Sequence, residues 1–300
     1  MNFFKQYYGE IAAIATAFCW AGNALLFEGA GKKVGSLSVN YIRLFFGLIF
    51  ISVFTKITRG IFLPFDASSH AWLWLFTSGI VGVVLGDLFL FEAFVILGAR
   101  ISMLIMSLVP PVSAILGWII LREKMSILEI TGMFITITGI SIVILERDRG
   151  KNQVKLSHPA LGVLLALGGT VGQSAGLILS KYGAGDYNAF AATQIRLIAG
   201  VVGFTVIYFL LNKWKALFQA FENKKAIFQI SAGSFLGPFI GISLSIIAVQ
   251  HTKVGIASTL IAISPLIVIP LSILFFKEKS CWKEIAGATI TIFGVMVFFI

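Results

Sequence analysis

Between Ile101 and Leu121 the chain runs 21 residues without a charged side chain, and between Val254 and Phe276 it runs 23. About 20 apolar residues in a helix cross the hydrocarbon core of a bilayer. In lipid every backbone N–H and C=O has to be paired within the chain, which leaves helices or closed barrels. The ten-residue alternation of barrel strands is absent, so these runs are read as helices. Composition agrees: 58% of the residues are hydrophobic and 12% charged, against about 25% charged in a soluble domain. The net charge of +10 sits almost entirely between apolar runs, where it orients a membrane protein and gives no reason to expect nucleic acid. Cys19 and Cys281 make no disulfide framework and no metal-ligand spacing.

Charge clusters and Gly, Pro and Asn punctuation divide the chain into ten apolar segments, near 10–28, 38–56, 71–96, 100–121, 128–145, 159–180, 189–211, 227–250, 254–276 and 284–300. The fifth and tenth are short and are expected to recruit flanking residues such as Glu129 and Glu284. The first could pass for a signal peptide, but it lacks a cleavage site and has a counterpart later in the chain. The longest polar stretch, Glu146–Pro159, divides the chain nearly in half.

The two halves repeat one another. SLVPPVSAILGWIILREK (Ser107–Lys124) and AISPLIVIPLSILFFKEK (Ala262–Lys279) are equally long, carry proline at the fourth place and end in Arg/Lys-Glu-Lys. Adding 155 carries Gly82 to Gly237, Gly86 to Gly241, Pro110 to Pro265, Glu123 to Glu278, Gly132 to Gly287 and Gly139 to Gly294. Adding 153 carries Gly9 to Gly162, Arg43 to Arg196 and Gly47 to Gly200, the change of offset falling near the loop after the second helix of each half. Five helices per half is an odd number, so the second copy enters the membrane inverted. The expected fold is an all-α integral membrane protein of ten transmembrane helices in two inverted five-helix repeats. Residues 1–147 form the first repeat, 148–157 a connecting loop and 158–300 the second. Inverted repeats of this kind place a substrate site at their interface and exchange two similar packings, one open to each side.

GDLFLFEAFVILGARIS (Gly86–Ser102) with the proline-bearing stretch after it, and Leu236–Lys279 in the second half, resemble the two EamA-type repeats of the drug/metabolite transporter superfamily. The similarity covers nearly the whole chain. It implies a central cavity lined by helices 1–4 and 6–9, with helices 5 and 10 peripheral. It also implies secondary transport of a small molecule across a lipid bilayer, with no cofactor. Export of an amino acid or related metabolite is the expectation from the resemblance; uptake or exchange of nucleosides, sugars or drugs is the alternative. An intramembrane enzyme is disfavoured by the lack of HExxH, GxSxG or paired histidines, and a scaffold by the charges within the spans. The expected state is a monomer or weak homodimer in the cell membrane. Of 21 Lys and Arg outside the helices, seven fall on the side of the N-terminus and fourteen on the other. The charge count therefore puts both termini outside, whereas the resemblance implies termini inside.

Ionisable and amide side chains within spans are the site candidates. Arg43 and Arg196 are repeat mates; carbonyl capping or snorkelling is the alternative to a binding role. Trp20 and Asn23 share a helix face, with Gln173 and Gly176 as mates: a ring would pack a substrate and amides orient it, unless they are interhelical glue. Asp87 and Glu92 point about 140° apart on one helix. The mate of Asp87 is Ile242, and an acid in one repeat only suits proton or cation coupling; a salt bridge with Arg43 is the competing reading. Glu92 is a weaker coupling candidate, closer to the helix end. Tyr41 and Gln194 join at lower rank, and His251 reads as interfacial. Pro110 and Pro265, with Pro111 and Pro270, bend helices 4 and 9 and are candidate hinges. The Gly82/Gly86 and Gly237/Gly241 pairs read as close-packing sites. GAGKKVG (Gly29–Gly35) follows no strand and is placed in an interhelical loop, not as a phosphate loop.

Overall fold

The computed structural model describes residues 7–121, 126–148, 153–156, 159–252, 254–276 and 282–298. Cys281 and the charged steps Arg122–Lys124 and Lys277–Lys279 lie outside these residues, as do the side chains of Glu129 and Glu284. In the first half, α1 (Tyr8–Val34), α2 (Ser36–Arg59) and α3 (Ser69–Leu97) are followed by α4 (Ala99–Met106), α5 (Val109–Leu121) and α6 (Ile127–Ile144). In the second half come α7 (Ala160–Ala184), α8 (Ala189–Leu211), α9 (Trp214–Glu222), α10 (Lys224–His251), α11 (Val254–Ile261), α12 (Ser264–Phe276) and α13 (Trp282–Phe298). Among the described residues six of these, α1, α2, α3, α7, α8 and α10, are long and apolar enough to cross a membrane.

Three expectations change. First, the connecting segment is not plain loop. Leu145–Asp148 (β1) pairs antiparallel with Gln153–Leu156 (β2), setting Glu146 opposite Lys155; among the described residues every other regular element is helical. Second, GAGKKVG is helical to Val34. Gly29 and Gly31 let Gln229 and Val95 approach, and Lys32 and Lys33 complete the last turn, where cations suit the carbonyl end of a helix. The turn is left to Gly35 at φ +82°. Third, a short helix, α9, occupies what reads as loop. Leu217 and Ala220 are buried in its packing while Phe218 and Phe221 stay exposed.

The surface is inverted relative to that of a soluble protein. Phe18, Ile57, Leu73, Phe134, Leu164, Phe209, Phe228 and Leu274 are exposed, while Arg43, Asp87 and Arg196 are 2–4% exposed. Large apolar side chains on the outside with charged ones held inside are what a bilayer selects. The protein is a multi-pass membrane protein on that ground. Glu28, buried on α1, accepts from the backbone N–H of Ala99 at 2.8 Å and pairs with Lys32. It thereby caps α4 just after Gly98 turns the chain at φ +85°.

Repeat mates make the helix crossings. Gly82 on α3 meets Gly176 on α7; at the matching crossing between the halves Gly237 on α10 meets Asn23 on α1, the mate of Gly176. Gly86 meets Gly172, and Gly241 meets Cys19, again mates. The glycine pairs are therefore close-packing sites. α6 and α13 pack on each other, with Gly139 against Thr291 and its mate Gly294 against Thr136, the mate of Thr291.

Two distortions recur at matching positions. α3 widens into π-helix at Gly79–Gly86, and α10 at Phe235–Gly241. The fourth and ninth apolar segments are each broken, at 107–108 and at 262–263, a separation of 155. In both, the break stands just ahead of Pro110 and Pro265, so each proline sits in the first turn of the following helix, where its missing N–H costs nothing. At Pro110 and Pro265 the expected bends are thus breaks between two helices, whereas Pro111 and Pro270 lie inside α5 and α12.

Candidate functional site

A cavity of about 110 Å³ lies where the halves meet. Its wall is built from mates: Trp20 with Gln173, Asp87 with Ile242, Leu90 with Ser245 and Met103 with Ser258. Met106 with Ile261, Ser107 with Ala262, Val109 with Ser264 and Pro110 with Pro265 continue the series. Val83, Leu177 and Arg196 complete it. Both π-turns end at this wall, at Asp87 and Ile242, and both helix breaks open on it. A π-turn shifts the side chains after it around the helix and recurs at functional positions.

Within three of these pairs an apolar residue gives way to a hydroxyl. Leu90, Met103 and Val109 of the first half have Ser245, Ser258 and Ser264 of the second as mates, so hydroxyls border the cavity where the first half offers apolar side chains. Ser245 and Ser264 donate to Ile242 O and Ile261 O at 2.7 and 2.6 Å. Among the described residues the hydroxyls of Ser107 and Ser258 have no partner, although these residues are 1% and 4% exposed.

Charge is equally uneven. Arg43 pairs with Asp87, donates from Nε to Asn40 Oδ1 at 3.0 Å, and lies over the ring of Phe91 with 4.3 Å to its centroid. The other oxygen of Asp87 accepts from Gln173 Nε2 at 2.5 Å, and Asn40 Nδ2 donates to the Asp87 carbonyl at 3.3 Å. Arg196, within electrostatic reach of Asp87, lies beside Gly82, and its Nε has no hydrogen-bond partner among the described residues. The reason is in the repeat. At the place of Asn40 stands Thr193, whose hydroxyl donates to Ala189 O at 2.9 Å; at the place of Asp87 stands Ile242.

The structure therefore brings together Trp20, Gln173, Asp87, Arg196, Pro110 and Pro265 at one cavity. Arg43 is one step behind the wall as the partner of Asp87. Asn23 is outside it, filling the space against Gly237. Glu92 hydrogen-bonds Ser36 in a separate surface depression with Lys213 and Tyr208. Tyr41 stacks edge-on with Tyr208 and Trp214, and Gln194 binds Ser52 Oγ and Phe62 O. His251 packs edge-on against Tyr8. Ser107 and Ser258 are absent from the sequence reading; the run of small residues beside the prolines was the available signal. Among the described residues no three His, Cys, Asp or Glu side chains cluster as metal ligands.

A polytopic helical protein with a cavity on its repeat interface is the architecture of a membrane transporter. The EamA-like transporter family matches residues 7–145 and 160–300, and the chain belongs to that family. No curated protein matches it. A solved structure titled only "Crystal structure of protein" superposes with a TM-score of 0.67 over 97% of this chain and 96% of its own, at 14% identity, a likeness of fold.

Proposed function

We propose that the protein is a secondary transporter that exports a small metabolite, such as an amino acid or a related compound, by alternating access between two inverted repeats. In this reading residues 1–147 and 158–300 are the repeats and the ten apolar segments are ten spans. Both termini lie outside, as the Lys and Arg count favours. The observation that carries the proposal is the cavity wall. Eight mate pairs meet there, so exchanging the packing of the two halves exchanges the environment of whatever the cavity holds. The two helix breaks give each half a place to flex, and Pro110 and Pro265 keep those breaks from closing into continuous helix. Asp87 is the residue where proton or cation coupling would act, because only one repeat has it. Glu92, outside the cavity, is the weaker candidate for that role.

Counterflow in proteoliposomes tests the reading. Vesicles loaded with an unlabelled compound should accumulate its labelled form saturably, and empty vesicles should not. Screening amino acids, nucleosides, sugars and cationic drugs and finding no saturable entry would overturn it. Once a substrate is in hand, Asp87→Asn should abolish pH-driven flux and spare exchange; unchanged pH dependence would remove Asp87 from coupling.

A further inference from the structure

Two arginines and one aspartate are buried around the cavity, so one positive charge there has no protein counter-charge among the described residues. A buried cation without a partner is expensive in a low-dielectric interior and is retained where a ligand completes it. Arg196 cannot relieve the cost by reaching water along the protein surface, because it is 4% exposed and borders the cavity. The repeat shows what is missing. Arg43 has an aspartate and an amide oxygen; Arg196 has Ile242 and Thr193 in those places, and its Nε is unpartnered.

Resting on the transport reading above, we infer that the substrate carries a carboxylate, and that this carboxylate binds Arg196 as Asp87 binds Arg43. Three further observations converge on it. The unpartnered hydroxyls of Ser107 and Ser258 border the same cavity and can donate to the carboxylate or to a neighbouring oxygen. Two half-helices, α5 and α12, begin at the wall, and helix N-termini favour negative charge. Trp20, Met103 and Met106 offer a non-polar body somewhere to pack. The same inventory says what the site lacks. Asp87 is the acid of the wall among the described residues, and its two oxygens are held by Arg43 and Gln173. A substrate ammonium therefore has no free carboxylate to meet. Selection rests on the carboxylate, and an α-amino group is dispensable.

The test uses three bodies, isobutyl, benzyl and hydroxymethyl, each as amino acid, as its des-amino carboxylic acid and as its amino acid amide. Binding to purified protein is measured by titration calorimetry. At least one amino acid and its des-amino acid should bind with similar affinity, and no amide should bind. Arg196→Gln should weaken the carboxylates at least about tenfold, the loss of one charge-assisted hydrogen bond. Ile242→Asp, which puts an internal carboxylate where the repeat calls for one, should weaken them similarly while leaving the Arg43–Asp87 pair in place. It decides the matter even if Arg196→Gln fails to fold. Amides binding as well as acids, carboxylate binding unchanged in a folded variant of either kind, or no carboxylate binding at all would each overturn the inference. Counterflow separates the two levels. Carboxylates that bind without saturable counterflow would leave the site and remove the transport reading. Saturable counterflow of amides but of no carboxylate would keep transport and remove the site.

Discussion

Arg43 and Arg196 occupy one place in two copies of one fold, yet their surroundings differ at every polar contact. Arg43 has Asp87, the Asn40 amide and an aromatic face. Arg196 has an isoleucine, a threonine turned to its own helix, and an open cavity. The backbone frame is shared: matching π-turns, matching breaks and matching crossings. Duplication therefore fixes the scaffold, and the positions where it has been undone are where a ligand can be read. The first arginine holds the first half together; the second is free to meet something from outside.

The sharpest way to break that contrast is to remove each charge in turn. Arg43→Gln leaves the Asp87 carboxylate buried with its ion-pair partner gone, and should cost about 3–5 kcal/mol. Arg196→Gln removes a charge that has no ion pair and should leave stability unchanged or raise it. Thermal unfolding in detergent reads both. Equal losses would mean that the pairing seen at Arg43 carries no energetic distinction. Next in size is Asn40→Thr, which gives the first half the second half's residue. It strands Arg43 Nε, and a buried unsatisfied donor costs about 1–3 kcal/mol. If Asn40→Thr is neutral in the same assay, the difference between Asn40 and Thr193 does not explain why Arg196 is free.

Much of this was legible from sequence because the repeat supplies an internal control. The offset of 155 exposed the exchange of Asp87 for Ile242, and the Arg43–Asp87 bridge was among the readings on offer. Carrying the offset of 153 to Asn40 and Thr193 would have exposed the second loss. The π-turns were not legible, since Gly79–Gly86 reads as ordinary apolar helix. Nor was the rotation of α1. Trp20 and Asn23 share a face in projection, yet one borders the cavity and the other packs on Gly237. α9 was hidden by Lys213 and Lys215, whose charges mask the apolar spacing of Trp214, Leu217, Phe218 and Phe221. Hydropathy registers how apolar a segment is, whereas side-chain direction at a site is decided by tertiary contacts.

The crossings give a third comparison. A Cβ on Gly176 would stand 2.7 Å from the Gly82 Cα, and backbone cannot yield as a flexible side chain can. Gly176→Ala should force α3 and α7 apart at about 1–3 kcal/mol. The matching crossing already holds the Asn23 side chain against Gly237, so Asn23→Ala removes atoms and leaves a small gap. It should cost less, toward the lower end of that range. A larger loss for Asn23→Ala than for Gly176→Ala would mean that the amide does more than fill space, and would return it to the list of functional residues.

The smallest expected effect lies outside the membrane. Asp66, in the loop between α2 and α3, pairs with Arg59 and accepts from the Tyr187 hydroxyl at 3.0 Å, tying that loop to the one between α7 and α8. Partial burial pushes the Asp66 carboxyl up, but the Tyr187 and Arg59 hydrogen bonds outweigh it and hold it below its ordinary value. A depressed carboxylate contributes stability that is present above its unfolded value, about 4, and is lost as pH falls through the folded one. The clasp is therefore intact across pH 5–8, and Asp66→Asn should cost no more than about 1 kcal/mol, since the pair is partly exposed. The slope of transport against pH over that range should be the same in Asp66→Asn as in the parent protein. A changed slope would make the outer clasp, and not Asp87, the place where protons act.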